Sequence, residues 1–210
     1  MSQRSKLRVT ILIVTISVIV VLAVKFFLGA APALHDTRSP AEMRAKGNKN
    51  APIHIIEFID LECPACARGA EYLARMMATH PEAIRLDLKY FPLPSHRHGF
   101  LAARYTECAA RQGKFWTFHD ALLERQANWS RLMDATPAFA LIAQEVALDA
   151  GKLSACLNDK SVDALIQQSH LEGEQRGVKS TPTYYVNGKM VVGMQSLEPE
   201  LERLLSEIKK

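Results

Sequence analysis

The sequence has no low-complexity segment and no repeat at a solenoid period, which sets aside biased chains and stacked repeat arrays. It also has no basic stripe interleaved with aromatic residues, so nothing in it points to a nucleic-acid partner. Acidic residues are missing from positions 1–34, where Arg4, Lys6, Arg8 and Lys25 stand. Those four carry the whole formal excess. The chain has 26 basic and 22 acidic residues, so the rest of it holds 22 of each and is formally neutral. With 210 residues, 48% of them hydrophobic, there is enough for one globular core plus an extra segment.

That extra segment is N-terminal. Val9 to Val24 is an unbroken run of apolar residues with Thr and Ser; Lys25 interrupts it and Phe26 to Leu34 resumes it. Crossing a bilayer core takes about 20 apolar residues. Val9–Ala31 reaches that length if Lys25 snorkels to the interface. The run has no polar face, so a buried core helix does not fit it. With Arg4, Lys6 and Arg8 leading, residues 1–34 read as one transmembrane or signal-anchor helix in a lipid bilayer. Ala31-Pro32-Ala33 offers the alternative of cleavage and release to the periplasm. Arg38, Arg44, Lys46 and Lys49 lie on the far side, so the positive-inside count does not orient the helix. Residues 35–51, with Pro40, Gly47, Asn48 and Asn50, read as a linker to a domain over 52–210.

Within that domain, residues 53–60 are rich in β-branched side chains and follow Pro52, as a buried strand does. A helical pattern follows through about Thr79, closed by His80-Pro81. Residues 84–91 alternate strictly, which predicts a second strand, joined to the first by a βαβ crossover and parallel to it. Residues 97–177 carry almost only helical signal, with helices expected over 99–112, 115–126, 137–147, 150–157 and 161–176. Asn187-Gly188 between two β-rich runs, 183–186 and 189–192, predicts a hairpin. Ser196 can cap a last helix over about 197–208. The fold class is α/β: a β-α-β unit and a β-β-α unit, the two halves of a thioredoxin fold, separated by a helical insertion.

The chemistry centres on Cys63-Pro64-Ala65-Cys66. Beside a βαβ pattern, two cysteines at this spacing read as a redox pair rather than half of a zinc site. Cys63 falls just past a strand, at the first turn of a helix, where unpaired amides and the helix dipole stabilise an anion. The attacking species in disulfide exchange is a thiolate, so this is where one is needed. Pro64 suits the first helical turn. Cys66, one turn on, can attack a mixed disulfide and release the product. The thiol chemistry is also the reason for placing the domain on the extracytoplasmic side.

Residues 57–66 resemble the active-site region of DsbA-like thioredoxin-fold proteins. Residues 181–189, beginning Thr181-Pro182, resemble the second hallmark of that family, and residues 113–120 its inserted helical domain. The resemblance implies that Pro182 is cis and faces the cysteine pair, presenting the backbone of Thr181 to an extended substrate strand. It implies that Glu57 is a buried acid exchanging protons with Cys66. It implies a protein thiol–disulfide oxidoreductase with no cofactor beyond its own redox-active disulfide, acting on exported cysteine-containing proteins. Its partner would be a membrane redox protein of DsbB or VKOR type, and a monomer is expected. The most oxidising members carry His where this chain has Ala65, so the expected potential lies between about −120 and about −270 mV.

Cys108 and Cys156 both fall in the insertion. An oxidising compartment favours a structural disulfide between them; free buried thiols are the alternative. His96-Arg97-His98 reads as a solvated loop, not a metal site, and no metal is expected. Phe115, Trp116 and Phe118 read as core of the insertion; Trp129 has no evident place. A disulfide reductase or isomerase kept reduced by an electron donor is the second functional reading, although residues 1–50 leave no room for a dimerisation domain. A non-enzymatic metal-binding or assembly module is the third.

Overall fold

The structure, a computed structural model, describes residue 13, residues 15–17, residue 20 and residues 39–208. The chain divides into two units, 1–37 and 38–210, and the second holds every strand among the described residues. The N-terminal apolar run expected to form a membrane helix lies almost wholly outside the described residues. Among those residues no helix is long and apolar enough to cross a membrane.

A short helix α1 (Pro40–Met43), capped by the Ser39 hydroxyl, leads into strand β1 (Ala45–Gly47). Strand β2 (Ile53–Ile59), helix α2 (Pro64–Thr79) and strand β3 (Ile84–Tyr90) form the crossover unit. Six helices follow: α3 (Gly99–Ala110), α4 (Phe115–Glu124), α5 (Gln126–Trp129), α6 (Thr136–Glu145), α7 (Ala150–Leu157) and α8 (Lys160–Gln175). The hairpin β4 (Thr183–Val186) and β5 (Lys189–Val192) and helix α9 (Met194–Ile208) close the chain. The sheet runs β1-β3-β2-β4-β5. Only the β2–β3 pair is parallel; the other three are antiparallel.

The segment 35–51, read as a linker, is corrected here. Its residues 40–47 fold onto the domain, and β1 pairs with β3 at the register Ala45–Asp87. Two tertiary contacts hold it: the Arg44 guanidinium bonds the buried Glu107 carboxylate at 2.8 Å, and the Trp116 indole donates to the Ala45 carbonyl at 3.0 Å. Neither partner is near in sequence, so local composition showed only the Gly and Asn residues. Helix α9 also begins three residues earlier than a Ser196 cap allows, because the Leu197 amide bonds back to the Gly193 carbonyl.

Side-chain alternation assigns the sheet's two faces. Ile53, Ile55, Ile84, Leu86, Tyr184, Val186 and Val191 bury one face against Leu73 and Met77 of α2 and Leu197, Leu201 and Leu205 of α9. Phe58 and Phe91 pack edge-on over the other face, against Val178. The insertion has its own core, which runs without a break into Ile59, Leu61, Cys63 and Cys66. Phe115 and Phe118 are in it, and so is Trp129, which meets Phe139 edge-on and donates its indole N–H to the Leu122 carbonyl at 2.8 Å. The hairpin turn Asn187-Gly188 has positive φ at both residues, +48° and +85°, the conformation a two-residue turn between twisted strands needs.

Candidate active site

Strand β2 ends at Ile59, and the chain turns through Asp60-Leu61-Glu62 into α2. Cys63 is the residue that caps this helix (φ −73°, ψ 120°), and Pro64 is the first helical residue. Proline has no amide hydrogen to leave unpaired at that position. The sulfur of Cys63 therefore sits over the open end of the helix. From the other side it meets the loop before β4: its Sγ lies 3.3 Å from the Thr181 carbonyl oxygen, and the Thr181–Pro182 peptide is cis. Cys63 and Cys66 are both free thiols, and Cys66 is fully buried.

The two sulfurs have opposite acidities. The Cys66 thiol, hydrogen-bonded to Cys63, is the strongest influence lowering the Cys63 pKa; partial burial opposes it. The Thr181 hydroxyl, which has no other partner, and the amides of Cys66 and Ala65 add to the lowering, and the result is about 5. At pH 7 the thiolate outnumbers the thiol by roughly a hundredfold. Burial pushes the Cys66 thiol up, and the hydrogen bond it gives Cys63 and the charges of Glu57 and Cys63 push it further.

Glu57 shares the face of Ile53 and Ile55, which turns it toward α2 and Cys66. Its carboxyl is fully buried, and one of its oxygens, Oε1, has no hydrogen-bond partner. Burial raises its pKa to about 8; the Tyr184 hydroxyl moderates the shift and the Cys63 thiolate adds to it. Tyr184 stands opposite Glu57 across the β2–β4 pair. Its hydroxyl fits under α2 only because residue 69 is glycine: a Cβ there would lie 2.3 Å from it.

Several residues that hold the active-site turn were not singled out from the sequence. The buried Asp60 carboxylate accepts the amides of Glu62 (2.8 Å) and Leu93 (2.6 Å) and lies 2.7 Å from His96 Nδ1. Glu62 accepts the His98 amide at 2.5 Å. The reading of His96-Arg97-His98 as a solvated loop is thus corrected: His98 is buried, its Nε2 is 2.8 Å from the Leu132 carbonyl oxygen, and the loop is bound to both acids. From the insertion, the buried Gln126 amide donates to the carbonyls of Leu61 (2.8 Å) and Cys63 (3.1 Å). Only Asp60 had a local signal, as a polar residue ending an apolar strand. Cys108 and Cys156 are joined by a disulfide between α3 and α7. Among the described residues no group of three or more His, Cys, Asp or Glu is placed to hold a metal ion.

Residues 39–207 match the thioredoxin family model. The chain belongs to the thioredoxin family. Among solved structures, this family member is similar to a thioredoxin-like oxidoreductase from Silicibacter pomeroyi DSS-3, with 26% identity and a TM-score of 0.65, covering 79% of this chain and 91% of that one. It is also similar to alpha-DsbA1 of Wolbachia pipientis, with 21% identity and a TM-score of 0.66, covering 78% and 89%. Both neighbours share the thioredoxin-like fold of this chain, with its helical insertion between the two halves of the sheet unit. A sequence relative is the Na(+)/H(+) antiporter NhaA 3 of Salinispora tropica, 31% identical over 176 residues, which are 81% of this chain and 26% of that protein. The thioredoxin-family chain thus spans about a quarter of the length of the curated relatives it matches.

Proposed function

We propose that the protein oxidises the thiols of exported proteins, donating the disulfide of Cys63 and Cys66 on the extracytoplasmic side of a membrane. One observation carries this reading: an acidic Cys63 sulfur, over the start of α2, faces the Thr181 carbonyl beside a cis-proline. A substrate thiolate attacks Cys63 Sγ, the Cys63–Cys66 bond breaks, and Cys66 leaves with the electron pair. Glu57 is the group placed to supply the proton that Cys66 then takes up. A second substrate thiolate attacks the substrate sulfur of the mixed disulfide and expels Cys63 as a thiolate. The substrate gains a disulfide and loses two electrons, and the protein is left as the dithiol. Leaving is easiest from a sulfur of low pKa, and this favours the oxidising direction.

The Cys108–Cys156 disulfide supports an oxidising compartment. A membrane partner of DsbB or VKOR type would restore the Cys63–Cys66 disulfide by accepting two electrons from the dithiol. An N-terminal anchor over residues 1–34 would hold the domain in the same plane as that partner and raise their effective concentration. The test is a Cys66→Ala variant in the native host, followed by gel separation of species that reductant dissolves. Mixed disulfides through Cys63 with exported proteins and a membrane protein are expected. A Cys63–Cys66 pair found fully reduced in intact cells would overturn the oxidising direction.

A further inference from the structure

Gln126 is 65 residues from Leu61 and 63 from Cys63, yet its single side-chain amide donates both hydrogens to their carbonyls, at 2.8 and 3.1 Å. Its own position is set by the insertion. It opens the one-turn helix α5, which ends at the buried Trp129, and Trp129 is pinned to the Leu122 carbonyl and packed on Phe139. The two carbonyls it holds flank the residues that turn the chain from β2 into α2. The Cys63 carbonyl also accepts the amides of Cys66 (3.0 Å) and Ala67 (3.3 Å), so rotating that peptide would disturb the first turn of α2 and the direction of the Cys63 side chain together.

We propose that Gln126 is a positioning residue for disulfide exchange: it fixes the Leu61–Cys63 turn so that the Cys63 sulfur stays over the first-turn amides and against Thr181. The inference rests on the exchange reading of the Cys63–Cys66 pair. A purely structural role would be to satisfy two carbonyls that would otherwise be buried without donors, and losing it would lower stability alone. A positioning role also changes how well the amides of Ala65 and Cys66 reach the sulfur. The glutamine side chain is the insertion's polar grip on the redox turn, and it acts through Cys63 without touching substrate.

The test compares wild type with Gln126→Met, which keeps the shape and removes both donors, and Gln126→Glu, whose carboxylate faces the same two carbonyls. Iodoacetamide alkylation of Cys63 is followed against pH in the full chain, on protein shown by circular dichroism to be folded. In Gln126→Met the titration midpoint is expected to rise by about one unit, which lowers the rate at pH 5 by about fivefold. The rise in Gln126→Glu is expected to be larger. Should Gln126→Met not fold, Gln126→Asn, which withdraws the donor by one methylene, carries the same expectation. An unchanged midpoint in folded Met or Asn variant overturns the positioning role, whatever the loss of stability. A wild-type midpoint near the ordinary thiol value of about 8.5 overturns the exchange reading instead.

Discussion

Cys63 Sγ and the Thr181 carbonyl oxygen lie 3.3 Å apart, although 118 residues separate them in the chain. The contact joins the two halves of the thioredoxin fold across the whole helical insertion. As a thiol, Cys63 donates to that carbonyl. As a thiolate it is approached instead by the Thr181 hydroxyl, which no other group engages. Replacing Thr181 by Val keeps the branched shape and removes this donor. The Cys63 midpoint is expected to rise from about 5 by roughly 0.5–1 unit, since hydrogen bonds to charged groups are stronger than neutral ones. Alkylation against pH measures it; no movement would show that the hydroxyl does not serve the sulfur.

Glu57 gives a pH dependence with a definite sign. Its folded-state pKa, about 8, is above the ordinary carboxylate value, so the folded protein binds the extra proton between about 4.5 and 8. Stability contributed at this position therefore falls as pH rises through that window and is level above it. Glu57→Gln removes the slope. The reduced variant is expected to gain on wild type as pH goes from 5 to 8, by on the order of 1 kcal/mol per unit crossed. The same change removes the proposed proton donor for the departing Cys66 and is expected to slow formation of the mixed disulfide by tenfold or more. Denaturant titrations at several pH values and stopped-flow kinetics check the two halves separately. Equal slopes in variant and wild type would mean that Glu57 reaches water.

The glycine under Tyr184 makes a third prediction. Gly→Ala inside a helix ordinarily stabilises by about 1 kcal/mol. At Gly69 the new methyl would meet the Tyr184 hydroxyl at 2.3 Å, and overpacking of this kind costs about 1–3 kcal/mol. Gly69→Ala is expected to lower stability, and Tyr184→Phe in the same chain to restore most of it. A double-mutant cycle by thermal unfolding reads the coupling. Additive effects would refute the steric account.

These contacts mark where the sequence was legible and where it was not. Strict alternation over residues 84–91 and the Asn187-Gly188 turn gave strands with bounds close to the observed ones, because both signals are local. The Cys63–Cys66 spacing and the Thr181-Pro182 pair pointed to the two loops that meet. The supports of the turn were not legible. Gln126, His96 and His98 have no spacing relation to Cys63, and their placement comes from long-range contacts around Trp129 and Asp60. The same holds for residues 40–47: glycine and asparagine suggested a linker, while Arg44 finds its partner in Glu107, 63 residues away.

The Cys108–Cys156 disulfide ties α3 to α7 across a separation of 48 residues. Cross-links over loops of this size stabilise by about 4 kcal/mol in the chain-entropy treatment, and measured values are commonly 2–4. Replacing both cysteines by Ala is expected to lower unfolding stability by that amount and leave the Cys63 titration midpoint where it was. Thermal unfolding and alkylation read these outcomes. A shifted midpoint would mean that strain in the insertion reaches the active-site turn.

Ala65 makes the last prediction, through the linkage between acidity and potential. The disulfide form carries no charge at Cys63, whereas the reduced form carries a thiolate. Anything that stabilises the thiolate alone therefore favours reduction of this protein and makes its disulfide the stronger oxidant. Ala65 contributes only its backbone amide to that anion. A histidine in its place can add a protonated ring one residue from the helix start, where positive charge and thiolate attract. Ala65→His is expected to lower the Cys63 midpoint below about 5 and to raise the potential by about 30 mV for each unit of that fall, because a tenfold change in a two-electron equilibrium is about 30 mV. Glutathione equilibration of wild type and variant at pH 7 gives both potentials, with wild type expected between about −270 and −120 mV. If the midpoint falls and the potential does not follow, the acidity of Cys63 is not what sets the oxidising strength of the pair.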